Sequence, residues 1–579
     1  MFRLRFGFLV IAMVLSLYGV RLVQLQGIDP KAYAAMAEAE GVQEVDLPAE
    51  RGAILDRNGV ELATSIDGLM IVADPKLTRD DAGEIATYLA DELGIDYFQA
   101  LERMRREGSR FQYLARRVPA ALAKEAVAEL EDRGYKGLTT QRDPIRVYPA
   151  NDVAANIIGF IGEDEKTGPL AGLERTFDAQ LSGTDGTARY QVGGGTRIPL
   201  GESAIVAPED GQDLQLTIDR DTQWLVQRVL RQAVRRARAD SGTAVVMDSR
   251  TGDLLSFADY PSFDANRPQL AKKVNRGSRG ASDVYEPGSV EKALTAASLI
   301  DAGKVTPQTR IVVPPTLSRS GHTIHDHWGH GTLRLTFAGV VAKSSNVGTV
   351  LAADEFEPEE LYSYLRSFGL GQKTDVGIRA ETAGLLPPAS LWSQINQDTI
   401  AFGQGVSVNA LQMAAAINTI ANGGVRVPPN LIQGRATTDE GVEVGTSTAV
   451  PRRVISKSAA RRTMMILERV VDPEAGVASV AGVPGYRVAG KTGTAQRAGK
   501  DGRYTDTFTV SFAGFAPADD ARFTVYIVIQ NPRNGEGGAG NAGPAFAKIM
   551  SYLLRHYSVP PTGTPPSSYR VEWGPESGR

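Results

Sequence analysis

Near the start of the chain, Phe6 to Val20 (FGFLVIAMVLSLYGV) runs fifteen residues without a charge. A stretch that apolar must be covered by lipid or by a protein core, and this limits the topology more than any other feature. Fifteen residues fall short of the roughly 20 of a spanning helix, and they also fit the apolar core of a cleavable leader or a buried helix. Arg21 can snorkel to an interface, which lets Leu22, Val23 and Leu25 lengthen the apolar helix. The small-x-small string Ala32-Tyr33-Ala34 follows Asp29 and Lys31, beyond the usual cleavage distance. The expectation is a single-pass anchor over residues 1–26 in the cytoplasmic (inner) membrane. Arg3 and Arg5 would stay cytoplasmic and the remainder would lie outside.

Beyond the anchor the chain is ordinary globular material. Of its 579 residues, 42% are hydrophobic and 22% charged, which excludes wholesale disorder, collagen and a polytopic membrane protein. The absence of cysteine excludes disulfides, thiolate catalysis and Cys-ligated metals. The 63 basic and 67 acidic residues nearly cancel, so no field points to nucleic acid. Five histidines disfavour His-based chemistry, and no metal or organic cofactor is suggested.

Residues 27–210 form a polar, mixed region. Asn58-Gly59 between apolar alternating stretches predicts a type I′ hairpin within 51–65, and Asp80 to Arg106 has helical spacing. Tyr190 to Asp213 is rich in Gly and Pro, including Gly193-Gly194-Gly195, and marks a domain boundary. From Leu214 a short strand leads into an amphipathic helix that Asp221 can cap. The helix arginines, Arg228 to Arg238, read as a solvated face. Thr243 to Ala258 predicts two strands, and Phe508 to Ala516 and Phe523 to Gln530 two more. One sheet would then be built from distant halves. Val559 to Arg579 has five prolines and no periodicity, which predicts a disordered tail.

The chain has one S-x-x-K, Ser289-Val290-Glu291-Lys292, after the turn former Pro287-Gly288 and before a helical run. A serine at a helix N-terminus with a lysine one turn on can pair nucleophile and base. Alone, the motif is more often a capping serine and a surface lysine. Ser344-Ser345-Asn346 lies 55 residues after Ser289, and Lys491-Thr492-Gly493-Thr494 begins 147 residues after Ser344. S-x-x-K, an S-D-N-type triad and K-T-G in that order form the set shared by serine β-lactamases and penicillin-binding proteins. Gly485 to Thr492 also matches a P-loop, but Tyr486-Arg487-Val488 suggests a strand and Gly493 would break the helix a P-loop opens. Lys166-Thr167-Gly168 precedes the serine, and Ser407-Val408-Asn409 lies far from it, so neither fits the order.

The chain resembles class B penicillin-binding proteins from the anchor to about residue 550. Arg51-Gly52, Asp56-Arg57 and Asn58-Gly59 match that family's first N-terminal element. Arg146-Val147-Tyr148-Pro149, Gly159-Phe160 and Gly172-Leu173-Glu174 match the second. Gly403-Gln404-Gly405 and Gly514-Phe515-Ala516-Pro517 match elements of the transpeptidase domain, and the SSNVG form resembles the division-specific branch. Asn151 departs from a usual glycine, and Asn409-Ala410 from a common Thr-Pro. The resemblance implies an α+β multidomain chain. Its parts would be a membrane helix (1–26), an elongated α+β pedestal (27–210) and a β-lactamase-like transpeptidase domain (211–558). That domain would have a central antiparallel sheet covered by helices, followed by the tail (559–579).

The resemblance also implies a mechanism. Ser289 would attack the penultimate D-Ala carbonyl of a stem peptide, with Lys292 taking its proton. Ser344 would relay a proton to the leaving amine, supported by Lys491, and Asn346 would bond the donor amide. Thr492 and Thr494 would bind the terminal carboxylate, while Gly493 leaves room for the substrate backbone. The N–H groups of Ser289 and Thr494 would form the oxyanion hole. An amine from a neighbouring stem peptide would resolve the acyl-enzyme, and β-lactams would inhibit. Implied partners are a SEDS-family glycosyltransferase and divisome membrane proteins. Alternatives are an elongation-type transpeptidase, a β-lactamase and a non-catalytic β-lactam sensor or scaffold. The lactamase reading is weakened because no E-x-x-L-N string lies between Asn346 and Lys491.

Overall fold

The structure is a computed structural model that describes residues 2–23, 42–162, 168–193, 196–197, 203–499 and 503–574. The Ala32-Tyr33-Ala34 string, Leu25, Lys166-Thr167 and Gly194-Gly195 lie outside the described residues. The N-terminal apolar run lies in a helix, Phe2–Val23. No helix among the described residues is long and apolar enough to cross a membrane.

The chain divides into two compact units. One comprises 1–52, 65–145 and 182–212; the other comprises 53–64, 146–181 and 213–579. The division is therefore not a single cut at 210, because two segments expected in the pedestal pack with the larger unit. The smaller unit has strand Gly68–Ala73 between Gln112–Pro119 and Leu138–Arg142, both antiparallel to it. Ile71, Ile85, Leu89, Met104, Leu114 and Leu130 fill its core. The predicted helix at 80–106 is two helices, Ala82–Leu93 and Tyr97–Met104. Gly94 in the left-handed conformation ends the first, and Asp96 accepts from Gln99 N to begin the second.

The larger unit is built on a five-stranded antiparallel sheet. Its order is Leu254–Tyr260, Ser241–Asp248, Phe523–Gln530, Tyr504–Ala516 and Ala489–Ala498. Strands from both ends of the domain thus meet, as expected. Phe512 meets Phe546 of helix Gly538–His556 on one face, while Thr524 bonds Asn418 of helix Ala410–Ala421 on the other. The helix after Leu214–Gln215 is Arg220–Arg236, and its cap is Asp219, not Asp221. Asp219 has the extended backbone a cap requires and accepts from Thr222 N at 2.7 Å, whereas Asp221 sits inside the first turn.

The hairpin at 51–65 forms, with Ile54 opposite Ala63, but its turn is not type I′. Only Gly59 has positive φ; Gly59 N donates to Asp56 O, and the Asp56 carboxylate accepts from Asn58 N and Val60 N. This is a type I turn followed by a glycine bulge. The hairpin docks on the start of helix Arg220–Arg236, where Asp56 accepts from Arg220 N. Asn151 adopts φ +54, which asparagine tolerates at a position suited to glycine.

Residues 559–574, expected to be disordered, are ordered on the larger unit. Tyr486 Oη donates to Val559 O, Ser567 N to Glu468, and Trp573 N to Arg334 O. The partners are distant in sequence, so the tail has no local periodicity to betray its order.

Candidate active site

Pro287-Gly288 turns the chain into a short 3-10 turn, Gly288–Val290, and helix Lys292–Asp301 begins directly after it. Ser289 is partly exposed on this turn, while Lys292 is 1% exposed. Lys292 Nζ donates to Ser344 O and to Asn346 Oδ1, each at 2.7 Å. Burial pushes its pKa down to about 7, against the opposing pull of Asp326. A neutral amine has two N–H groups, and both are used here. Its lone pair is left to take a proton.

Ser344 and Asn346 reach Lys292 through a strained turn. Helix Phe337–Ala342 ends two residues before Ser344, which has φ +61, and Ser345 caps helix Asn346–Ala353. A non-glycine residue held there costs on the order of 1–3 kcal/mol, so the surroundings must over-determine it. Lys491 on strand Ala489–Ala498 donates from Nζ to Ser344 Oγ at 2.7 Å. Burial, and then the charge of Lys292, hold Lys491 well below its ordinary pKa. The ammonium of Lys292 therefore disfavours that of Lys491, and an arriving carboxylate would restore charge to the site.

Strand Ala489–Ala498 is the edge of the sheet, which leaves one side of its backbone for an added strand. It begins at Ala489, so the expected strand at Tyr486-Arg487-Val488 is instead the approach to it. Lys491 lies inside the strand, so no loop-to-helix phosphate cradle exists there. Thr492 is buried and Thr494 exposed. A side chain at Gly493 would meet Ser511 Oγ at 2.3 Å and Pro287 O at 3.0 Å. Its missing Cβ thus leaves room for Ser511 and for the nucleophile turn. A Cβ on Gly288 would stand 3.1 Å from Thr494 O, so the nucleophile turn lies against the backbone of Thr494.

Asp326, His325 and His327 support the site without belonging to any motif, and the Gly403-Gln404-Gly405 match gains a role. Asp326 is buried; its Oδ1 accepts from Asn346 N at 2.5 Å and Val347 N at 3.0 Å, and its Oδ2 from Ser345 Oγ at 2.7 Å. Asn346 Nδ2 donates to His325 O, so the amide is held with its oxygen toward Lys292. Burial, and then the charges of Lys292 and Lys491, lower the pKa of His327, next to Asp326. The turn Gly403-Gln404-Gly405 clamps the nucleophile turn: Gly288 N donates to Gly403 O, and Gly405 N to Glu286.

Glu291, inside the S-x-x-K, is fully buried, and burial raises its pKa well above the carboxylate range. The Thr295 hydroxyl lies 2.8 and 3.0 Å from its two oxygens and 2.9 Å from Ala401 O. One hydroxyl proton cannot serve both neighbours. A protonated Glu291 donating to Thr295, which donates to Ala401 O, satisfies all three. Asn409 of the second S-x-N caps helix Ala410–Ala421, a structural role that also explains how it replaces a threonine.

Residues 242–551 match the family described as penicillin binding protein transpeptidase domain, and 46–216 match penicillin-binding protein dimerisation domain. Penicillin-binding protein PbpB of Mycolicibacterium smegmatis is 37% identical, over 96% of this chain and 91% of its own length. Peptidoglycan D,D-transpeptidase FtsI of Escherichia coli is 33% identical, over 93% and 89%. The crystal structure of penicillin binding protein 3 from Mycobacterium tuberculosis with aztreonam superposes with a TM-score of 0.70. It is 32% identical and covers 92% of this chain and all of that one.

Proposed function

The chain belongs to the penicillin-binding protein transpeptidases, and on that premise we propose that it is a peptidoglycan D,D-transpeptidase of septal wall synthesis. The observation that carries the reading is the meeting of Lys292, one turn after Ser289, with Ser344 and Asn346, and of Lys491 with Ser344.

Lys292 takes the Ser289 proton as Oγ attacks the penultimate D-Ala carbonyl of a donor stem peptide. The oxyanion rests on the N–H groups of Ser289 and Thr494, each such donor being worth about 3 kcal/mol. Ser344 passes a proton to the departing D-Ala amine while Lys491, recharged by the substrate carboxylate, supports it. Thr492 and Thr494 hold that carboxylate, and Asn346 bonds the donor amide. An acceptor amine then attacks the acyl carbon, forms the crosslink and frees Ser289. A β-lactam follows the same first step and stays bound.

The septal role is supported by the SSNVG form and by relatives named PbpB and FtsI. Residues 1–26 anchor the protein in the inner membrane with the catalytic unit outside. The exposure of Phe8, Leu9, Leu15 and Tyr18, each about two-thirds uncovered, supports this. A SEDS-family glycosyltransferase and divisome membrane proteins are the proposed partners.

Intact-mass measurement after β-lactam treatment tests the chemistry. One stable adduct is expected, lost in Ser289→Ala. Rapid drug turnover would point to a lactamase, and no adduct would sink the reading. Depletion should give filamentous cells; round cells would assign the chain to elongation.

A further inference from the structure

The segment 570–574 crosses the element that delivers Ser344. Thr336 N donates to Val571 O at 3.0 Å, and Trp573 N to Arg334 O at 3.0 Å, so this segment adds backbone pairing to strand Leu333–Thr336. The Trp573 ring lies 5.3 Å from the guanidinium of Arg310 and 5.5 Å from that of Arg334, on the two paired strands. Its indole N–H reaches Leu335 O at 3.0 Å.

The same segment grips the next helix at its cap. Thr336 is the N-cap of Phe337–Ala342: its Oγ accepts from Gly339 N and donates to Arg570 O. Gly339 has an ordinary helical backbone, yet a Cβ there would stand 1.8 Å from Val571 O. The glycine is required by the crossing chain, not by φ. The gripped helix is six residues long and runs directly to Lys343 and the strained Ser344.

We propose that residues 570–574 are a positioning strap for the second motif, holding cap and helix so that Ser344 meets Lys292 and Lys491. The helix is buried but only six residues long, so what fixes its cap bears directly on the left-handed residue at its end. The strap supplies a paired strand and an anchored indole. Misplacement by about 1 Å can cost on the order of a hundredfold in rate, so a remote grip of this kind reaches the chemistry.

The inference rests on the proposed acylation at Ser289, and one experiment separates the two. Acylation by a fluorescent penicillin is followed for the full chain, a chain ending at Tyr569, Trp573→Ala and Gly339→Ala. The acylation rate constant at saturation, the pre-acylation affinity and the active fraction are extracted. Loss of the strap should lower the rate constant about tenfold or more, with affinity and active fraction kept. Gly339→Ala should do so although alanine is the better helix former by about 1 kcal/mol. A peptide of residues 559–579 should restore the truncated chain, and the same peptide with Trp573→Ala should not. If the truncated chain fails to fold, the two point variants decide. A rate constant within about twofold of the full chain overturns the strap, as does a fall confined to the active fraction. If the full chain itself is not acylated, the reading of the site fails and the strap with it.

Discussion

Lys292 shows how one buried side chain sets a working pH. Its pKa is pushed down to about 7 by burial, so the neutral base fills as pH rises through that value. Acylation by a penicillin should therefore rise with pH, half-maximal near 7, as a stopped-flow profile would record. Lys292→Gln should cost about a hundredfold to ten-thousandfold; a smaller loss would place the base elsewhere. Asp326 acts through Asn346. Asp326→Ala strips acceptors from two helix N–H groups and should slow acylation about tenfold to a hundredfold, as expected for lost bonds to a charged group. Glu291→Gln keeps a neutral, bonding side chain, so melting temperature and pH midpoint should stay put. A midpoint displaced to lower pH would mean that Glu291 is ionised in the native protein. The motif spacing alone pointed to Ser289, Lys292, Ser344 and Lys491. Asp326 escaped notice because a lone aspartate in a loop carries no periodicity, and its partners lie about twenty residues on.

Among the elements, the paired segments around Arg146 and Glu174 explain two motifs whose spacing had no evident reason. Arg146 Nε donates to Glu174 Oε1 at 2.7 Å with side chains 7% and 0% exposed, and Tyr148 Oη reaches the same oxygen. Breaking a buried pair from one side strands a charge, so Glu174→Ala should cost about 3–5 kcal/mol in a denaturation experiment. Near-neutral behaviour would show that the pair is dispensable. Gly159 and Gly172 face each other so closely that a Cβ on Gly159 would stand 1.9 Å from Ala171 O. The hairpin at 54–63 was legible from Asn58-Gly59, but its turn type was not. Asp56 draws two backbone N–H groups to its carboxylate and so selects a different turn.

At the scale of the whole molecule, a sheet made from residues 241–260 and 489–530 explains why chemistry separated by about two hundred residues converges. Strand Ser241–Asp248 pairs along its length with Phe523–Gln530, so the two ends of the domain meet in one sheet. Seven of the eight residues of Phe523–Gln530 are buried, which a run of alternating and continuous apolar residues does foretell. On the proposed anchoring, removing residues 2–23 should leave the protein in the soluble fraction without loss of penicillin acylation. Unchanged membrane association would refute the anchor.

By itself the sequence pointed to the reaction class, a candidate nucleophile in Ser289 and the sheet made from distant halves. The ordered motifs and the family resemblance carry the first two, and apolar periodicity carries the third. Only the tertiary structure decided the positions of the supports: Asp326 under Asn346, Gly493 against the nucleophile turn, and the ordered tail over Gly339. Each depends on hydrogen bonds or close contacts between segments far apart in the chain. Such pairings leave no local pattern, because either partner alone has the composition of an ordinary loop.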